Sequence, residues 1–339
     1  MIQVSKVAEG EDCHKDDIEC CVVMKDVLYT GSDEGTIKAW SLDLDLVTSW
    51  PAHDYVVYDL AMDPANNVLY SCSMDGQIKR WSVAVSSEPQ LLNTTIQTGP
   101  TGEAADLGGL GGTASLEHEP ATVRKIVFRD GAVWAGDEMG SVCQWSADLS
   151  TCHLKKEYYT EIWSLVVSRD KRTVLTARDN EVISADVSKM CCNNLNTVLV
   201  NYTLPGRAPV VMNKEEEVMV CPTRGGMDIM VRRRRGTDKF QDTQILQRHD
   251  MIVNTILMED NMILSAGWDA RVVFWVTIID DGKLISNNID LWQSQEHNHY
   301  EYVEDVKLES YVNTMCSAGP GRRMYFVGGK KGYLARISK

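Results

Sequence analysis

Phenylalanine is scarce in this chain of 339 residues: there are four, against nine tryptophans and twelve tyrosines. No apolar run approaches the roughly 18 to 20 residues that a membrane-spanning helix needs, so membrane insertion is not expected. The opening residues 1–12 (MIQVSKVAEGED) lack the apolar stretch of a signal peptide. Positive charge is short as well, with 34 Lys and Arg against 48 Asp and Glu and a net charge of −14. A nucleic-acid backbone requires a basic face, so direct nucleic-acid binding is not expected either. The ten cysteines contain no C-x-x-C pair, which argues against zinc and for reduced, buried thiols in an intracellular protein, cytoplasmic or nuclear. Cys20-Cys21 and Cys191-Cys192 are adjacent, and a strand would point such neighbours to opposite faces, as core packing rather than as disulfides.

Catalytic signatures are missing too. Nothing matches a P-loop, a dinucleotide fingerprint, H-E-x-x-H or G-x-S-x-G. Residues 108–112 (GGLGG) are not flanked by a strand and a helix, so they form no expected phosphate cradle. His297 and His299 (EHNHYE) have metal-like spacing, but no further ligands accompany them and a solvated acidic loop is expected. No spacing selects a carboxylate dyad. The sequence therefore leads to no catalytic residue, cofactor or metal.

What the chain does have is a phrase that recurs. Residues 68–83 read VLYSCSMDGQIKRWSV: a strand-like run, an Asp-Gly turn and a second run carrying Trp81. Asp-Gly between two such runs marks a tight hairpin, because the turn needs φ > 0 and glycine reaches it without a Cβ clash. The phrase appears earlier as VLYTGSDEGTIKAW, ending at Trp40, and later as VWAGDEMGSVCQW, ending at Trp145, and ILSAGWDARVVFW, ending at Trp275. Self-similarity at a fixed period decides the architecture before any other signal.

These residues resemble the WD-repeat family of β-propellers. A family repeat runs from a histidine to a closing tryptophan about forty residues later, supplying the outer strand of one blade and three strands of the next. His53, Ser71, Asp75 and Trp81 follow that arrangement, as do His249, Ser265, Asp269 and Trp275. His14, Thr30 and Trp40 give a looser version, with Glu34 in place of aspartate. The resemblance implies a buried hydrogen-bonded set in each, which is stabilising only when every donor and acceptor is paired. It assigns His14, His53, His118 and His249 to structure rather than to catalysis.

The expectation is an all-β protein: residues 1–339 as a single seven-bladed propeller of four-stranded antiparallel blades. Residues 1–7 would complete the C-terminal blade and close the ring, removing two sheet edges. Closing positions fall at Trp40, Trp81, Trp145, Ala185, Val231, Trp275 and Ile337. Residues 98–119 read as a flexible insertion. Residues 284–292 read as the outer strand of the sixth blade, followed by a second, acidic insertion at 293–309. The run of four arginines at 232–235 is expected to be solvated, with a localisation signal or phosphate-reading patch as the alternative.

The resemblance also implies where partners dock, around the narrow entrance of the central channel. Carried onto this chain, the first strands contribute Asp17, Glu19, Tyr58, Arg124, Trp163, Arg207, Asn254 and Asn313. The hairpin turns contribute Asp33, Met74, Glu138, Asp179, Trp268 and Lys330. Tyrosine, tryptophan and arginine dominate interface energetics, so Tyr58, Trp163 and Trp268 are the leading candidates, unless a tryptophan packs on the next blade instead. The mixed charge of the ring suits a protein or peptide partner with basic and apolar side chains, and a role as scaffold or adaptor within a multiprotein complex. A substrate-recognition subunit of a ubiquitin ligase, a chromatin-associated peptide reader and a propeller enzyme are the alternatives, since fold does not fix function.

Overall fold

The computed structural model describes residues 2–83, 88–98, 120–158, 160–188, 197–236, 238–259, 261–278 and 299–338. Strands dominate. After β1 (Gln3–Val7) the chain makes β2 (Ile18–Met24), β3 (Val27–Ser32), β4 (Thr36–Ser41) and β5 (Leu46–Pro51), hydrogen-bonded in that order as blade one. Blade two is β6 (Val57–Asp63), β7 (Val68–Ser73), β8 (Gln77–Ser82) and β9 (Gln90–Ile96). Blade three is β10 (Val123–Arg129), β11 (Ala132–Asp137), β12 (Ser141–Ser146) and β13 (Cys152–Glu157). Blade four is β14 (Ser164–Val167), β15 (Thr173–Ala177), β16 (Glu181–Asp186) and β17 (Leu199–Pro205).

Blade five opens with the two-residue β18 (Val211–Met212), followed by β19 (Val218–Pro222), β20 (Ile229–Arg233) and β21 (Gln241–Leu246). Blade six is β22 (Val253–Glu259), β23 (Met262–Gly267), β24 (Arg271–Ile278) and β25 (His299–Lys307). The last blade has only three strands of its own, β26 (Val312–Ser317), β27 (Met324–Gly329) and β28 (Leu334–Ser338). Its fourth is β1, antiparallel to β28 with Gln3 facing Ser338 and Val7 facing Ala335. The ring is thus seven four-stranded blades closed by the N-terminal strand, as the repeat count implies.

The hydrophobic core lies between the blades. Each of seven apolar clusters straddles one seam: Tyr29, Ile37 and Trp50 of blade one, for instance, meet Leu60, Leu69 and Trp81 of blade two. The closing seam joins Leu28 and Trp40 to Phe326 and Leu334. A blade buried on both faces cannot alternate apolar and polar residues, and all six residues of β7 are buried. Cys20 and Cys21 do point to opposite faces, into the seams with blades two and seven respectively.

Two expectations need correction. The outer strand of blade six is β25, which runs along β24 from His299 opposite Ile278 to Lys307 opposite Arg271. Most of the stretch taken for an acidic insertion is therefore a strand. An outer strand is wet on one side, so its Glu301, Glu304 and Asp305 are compatible with pairing, while Tyr300 and Val306 turn inward. Residues 284–292, 293–298 and 99–119 lie outside the described residues, as do Cys191, Cys192, His118 and His297. The second correction is the closing residue of blade five, which is Arg232 and not Val231.

Candidate functional site

The recurring phrase builds the same hydrogen-bonded set in three blades. In blade two, Trp81 Nε1 donates to Ser71 Oγ at 2.9 Å, and that oxygen lies 2.7 Å from His53 Nε2. His53 Nδ1 is 3.1 Å from Asp75 Oδ2. A carboxylate only accepts, so Nδ1 carries the proton and Nε2 accepts from the serine hydroxyl, leaving no donor idle. Blade six repeats the chain with Trp275, Ser265, His249 and Asp269 at 3.0, 2.8 and 2.8 Å. Blade one does so with Trp40, Thr30, His14 and Glu34 at 2.9, 2.8 and 2.7 Å. Burial holds His14 and His53 below the usual imidazole range, against the pull of Glu34 and Asp75. The neutral ring is the form that this geometry requires.

Other blades depart from the phrase. In blade three Ala135 stands where a hydroxyl is needed, and Trp145 Nε1 has no partner. A different buried pair holds the blade entrance there: Gln97 Nε2 donates to Asp137 Oδ2 at 2.7 Å, and Asp137 Oδ1 accepts the Ser141 N–H at 2.8 Å. In blade five Arg232 faces Met219 in the register that sets Trp81 against Leu69. The bulge that precedes Trp81 in its pairing with the outer strand likewise falls between Val231 and Arg232. Arg232 is fully buried, so the run 232–235 is not simply solvated. Arg234, two residues on, lies 4.6 Å from the Phe240 ring centroid and donates to Glu216 O at 2.6 Å.

The channel entrance is made by bulges. In five blades the pairing of the first strand skips one residue near its start: Glu19, Tyr58, Arg124, Asn254 and Asn313. A bulge takes its residue out of the ladder and re-aims the side chain. Trp163 holds the corresponding place just ahead of β14, its backbone N–H on Ala177 O. The hairpin turns carrying Asp33, Met74, Glu138, Asp179 and Trp268, and the 3-10 turn beginning at Lys330, open onto the same end of the ring.

Most of these side chains touch one another. Arg124 lies 4.0 Å from the Tyr58 ring centroid and 6.0 Å from that of Trp163, and its Nε donates to Glu138 Oε1 at 2.5 Å. Arg178, which the sequence did not single out, lies 5.5 Å from Trp163. Arg207 reaches Asp179 Oδ1 at 3.5 Å and packs on Gly226, where a Cβ would come within 3.0 Å of Nη1. Asn254 donates to Val312 O at 3.1 Å, and Asn313 to Glu19 Oε1 at 3.1 Å. Both asparagines thus spend a donor on the neighbouring blade.

The side over blades seven and one is acidic. Asp17 accepts from the Tyr311 hydroxyl at 3.0 Å and from the Lys331 N–H at 2.8 Å. Burial, with Asp33 and Asp17 alongside, pushes Glu19 up to about 7 despite Arg124. Burial, with Asp16 and Asp17, pushes Asp33 up to about 6. Trp268 is 45% exposed beside Tyr311, ring centroids 6.4 Å apart, and Lys330 Nζ stands 5.3 Å from the Tyr311 ring. Trp163 is half-buried, held by a 3.1 Å bond from its Nε1 to Glu161.

Sequence reasoning missed an apolar rim on this same end. Tyr55, Met74, Met139, Met227, Met251 and Trp268 are 44 to 58% exposed, all in hairpin turns or in loops entering a blade. Only Met74 and Trp268 were singled out; Met139 and Met227 lie in hairpin turns and Tyr55 and Met251 in loops entering a blade, where a large apolar residue was the available signal. Among the described residues no group of side chains could hold a metal ion, and no helix is long and apolar enough to cross a membrane. His299 lies on β25 with Nε2 3.1 Å from Glu301.

Residues 44–82, which contain His53, Ser71, Asp75 and Trp81, match the family model of the WD domain, G-beta repeat. No curated protein matches the chain in sequence. Among solved structures, the WD40 β-propeller domain of Doa1 is similar with a TM-score of 0.70 and 15% identity, covering 100% of this chain and 97% of that one. At that identity the likeness concerns the fold. A matched repeat at residues 44–82 and a matching ring in space show a seven-bladed β-propeller that carries a WD repeat in its second blade.

Proposed function

We propose that this propeller is a non-enzymatic interaction platform, binding a protein or peptide at the channel entrance within a larger assembly. Propellers of this family generally serve as protein-interaction scaffolds and are typically non-enzymatic. The observation that carries the reading to this face is the set of bulged first-strand residues. These are Glu19, Tyr58, Arg124, Asn254 and Asn313, at the end of the ring that carries the exposed aromatic and methionine side chains. A rigid closed ring spares ordering entropy on binding, and methionines adapt to apolar partners of varied shape. The carboxylates Asp17, Glu19 and Asp33 favour a partner that brings positive charge.

The test uses the full chain with Tyr58, Trp163 and Trp268 replaced together by alanine. Truncating buried aromatic anchors costs about 2 kcal/mol or more each. A variant with wild-type melting temperature should therefore lose over a hundredfold in affinity for the partners and peptides that the wild type retains. Undiminished binding by the folded variant would move the site to the blade edges.

A further inference from the structure

We propose that Arg178, Arg207 and Arg224 form a carboxylate subsite at the channel entrance, between blades four and five, which takes an aspartate or glutamate side chain of the docked peptide. The proposal rests on the entrance being the docking face, and adds the polarity with which a peptide lies across it.

Three connections bring the guanidiniums together. The hairpin turn of blade four supplies Arg178, Asp179 and Asn180, the loop entering blade five supplies Arg207, and the hairpin turn of blade five supplies Arg224. Arg178 and Arg207 flank the two oxygens of Asp179, with Arg178 Nε 3.7 Å from Oδ2 and Arg207 Nη2 3.5 Å from Oδ1. Arg224 Nε donates to Asn180 O at 2.9 Å, so this side chain crosses from blade five to the same turn of blade four. The Arg207 guanidinium lies over Gly226, on the turn that carries Arg224.

These arginines hold more donors than their neighbours use. A guanidinium presents five N–H groups in a fixed fork that matches a carboxylate. Arg178 is the best supplied, with Glu161 Oε2 at 3.1 Å as well as Asp179. Arg207 Nε is buried and bonds to nothing, and the contact with Asp179 is longer than the roughly 2.7 to 2.9 Å of a charge-assisted hydrogen bond. Arg224 is exposed and, among the described residues, pairs with no carboxylate. Asp228, on its own turn, accepts instead from Gln247 Nε2 at 3.2 Å.

One guanidinium without a counter-charge suits a singly charged carboxylate. A phosphate, with a charge of about −1.5 to −2, would meet Asp179 and Glu161 as well. Asp17, Glu19 and Asp33 stand across the channel, over blades seven and one, three seams away in one direction round the ring and four in the other. A peptide acidic at one end and basic at the other is therefore held in one sense, whereas an all-basic peptide leaves the arginines unpaired.

The full-length protein selects from a phage-displayed library of random dodecapeptides, and the selected sequences are synthesised for fluorescence anisotropy. The expected sequences combine Asp or Glu with Lys or Arg several residues away. Replacing the acidic residue by its amide should weaken binding by about tenfold or more, as for one hydrogen bond to a charged group. Arg178→Gln/Arg224→Gln, two exposed changes, should abolish that preference at an unchanged melting temperature. The subsite is overturned if acidic residues stay at library frequency, if the preference survives in the double variant, or if phosphoserine in place of the acid binds about tenfold tighter or more. Peptides without the preference that are still lost on replacing Tyr58, Trp163 and Trp268 by alanine would overturn the subsite alone. Peptides retained by that triple variant, or none selected at all, would overturn the docking face and the subsite with it.

Discussion

Arg232 and Met219 face each other across β19 and β20 in the register that sets Trp40 against Leu28, Trp81 against Leu69 and Trp275 against Ile263. Where the indoles donate once, to a hydroxyl, the guanidinium donates three ways: to Cys221 Sγ at 3.1 Å, Asp242 Oδ1 at 2.6 Å and Pro205 O at 2.5 Å. Cys221 holds the place of Ser71 and Ser265. A planar cation of five donors has replaced a planar aromatic with one, and Asp242 on the outer strand balances its charge.

Replacing Arg232 by alanine should therefore cost about 3 to 5 kcal/mol, the range for cutting a large buried side chain to alanine. Asp242 is 53% exposed and can be rehydrated, so the loss comes from the void and from the unpaired Pro205 carbonyl. Urea denaturation measures it; a loss below 1 kcal/mol would mean that blade five closes without this residue.

The tryptophans should separate by their hydrogen bonds. Trp81→Ala and Trp275→Ala remove buried rings and should each cost about 3 to 5 kcal/mol. The phenylalanine variants isolate the indole N–H. Trp81→Phe should lose about 1 kcal/mol more than Trp145→Phe, because Trp81 Nε1 bonds to Ser71 while Trp145 Nε1 bonds to nothing. Equal losses in thermal melts would remove the hydroxyl from the account.

Ala270 occupies the turn position that Gly35, Gly76 and Gly140 hold in other blades, at φ 56°. An L-residue with a Cβ is disfavoured in that left-handed region. Ala270→Gly should raise stability by up to about 1 kcal/mol, since the relief exceeds glycine's added chain entropy. A lower melting temperature would show that the alanine methyl packs usefully.

Stability should respond to pH through the entrance carboxylates. Glu19 titrates at about 7 and Asp33 at about 6 in the folded chain, above their unfolded values of 4.5 and 3.8. The folded state then holds more protons between those limits, so their stabilising contribution is complete below the unfolded values and disappears as pH rises through 6 to 7. His14 and His53 act in the opposite sense: depressed by burial, they favour folding fully above 6.5 and cost stability as pH falls below it. Glu19→Gln should raise the melting temperature at pH 8 and leave it unchanged at pH 4. An equal shift at both would exclude charge as the cause.

Deleting residues 1–10 should abolish cooperative unfolding. It removes the strand that pairs with β28 and exposes the apolar seam that Ile2, Val4 and Val7 help to cover. A near-wild-type melting temperature would show that the ring holds without this closure.

The sequence by itself determined the ring. Strand-like runs, tight turns and the histidine, hydroxyl, acid and tryptophan spacing are local or repeat within one blade, so a single chain read once suffices to count seven blades and to place His53, Ser71, Asp75 and Trp81 together. Tertiary structure decided everything that depends on a neighbour across a ladder or a seam. Arg232 looked solvated because a run of arginines is read as charge, whereas register with Met219 makes it core. The strand at His299–Lys307 looked like an acidic loop, because an outer strand needs only its inner face apolar. Gln97 and Asp137 are 40 residues apart and Gln97 lies outside the repeat phrase, so only folding brings them within 2.7 Å. The raised Glu19 and the exposed rim of Tyr55, Met139, Met227 and Met251 likewise arise from what blades seven, one and their neighbours bring to one end of the channel. Charge and burial are properties of that assembled end, and no single repeat contains them.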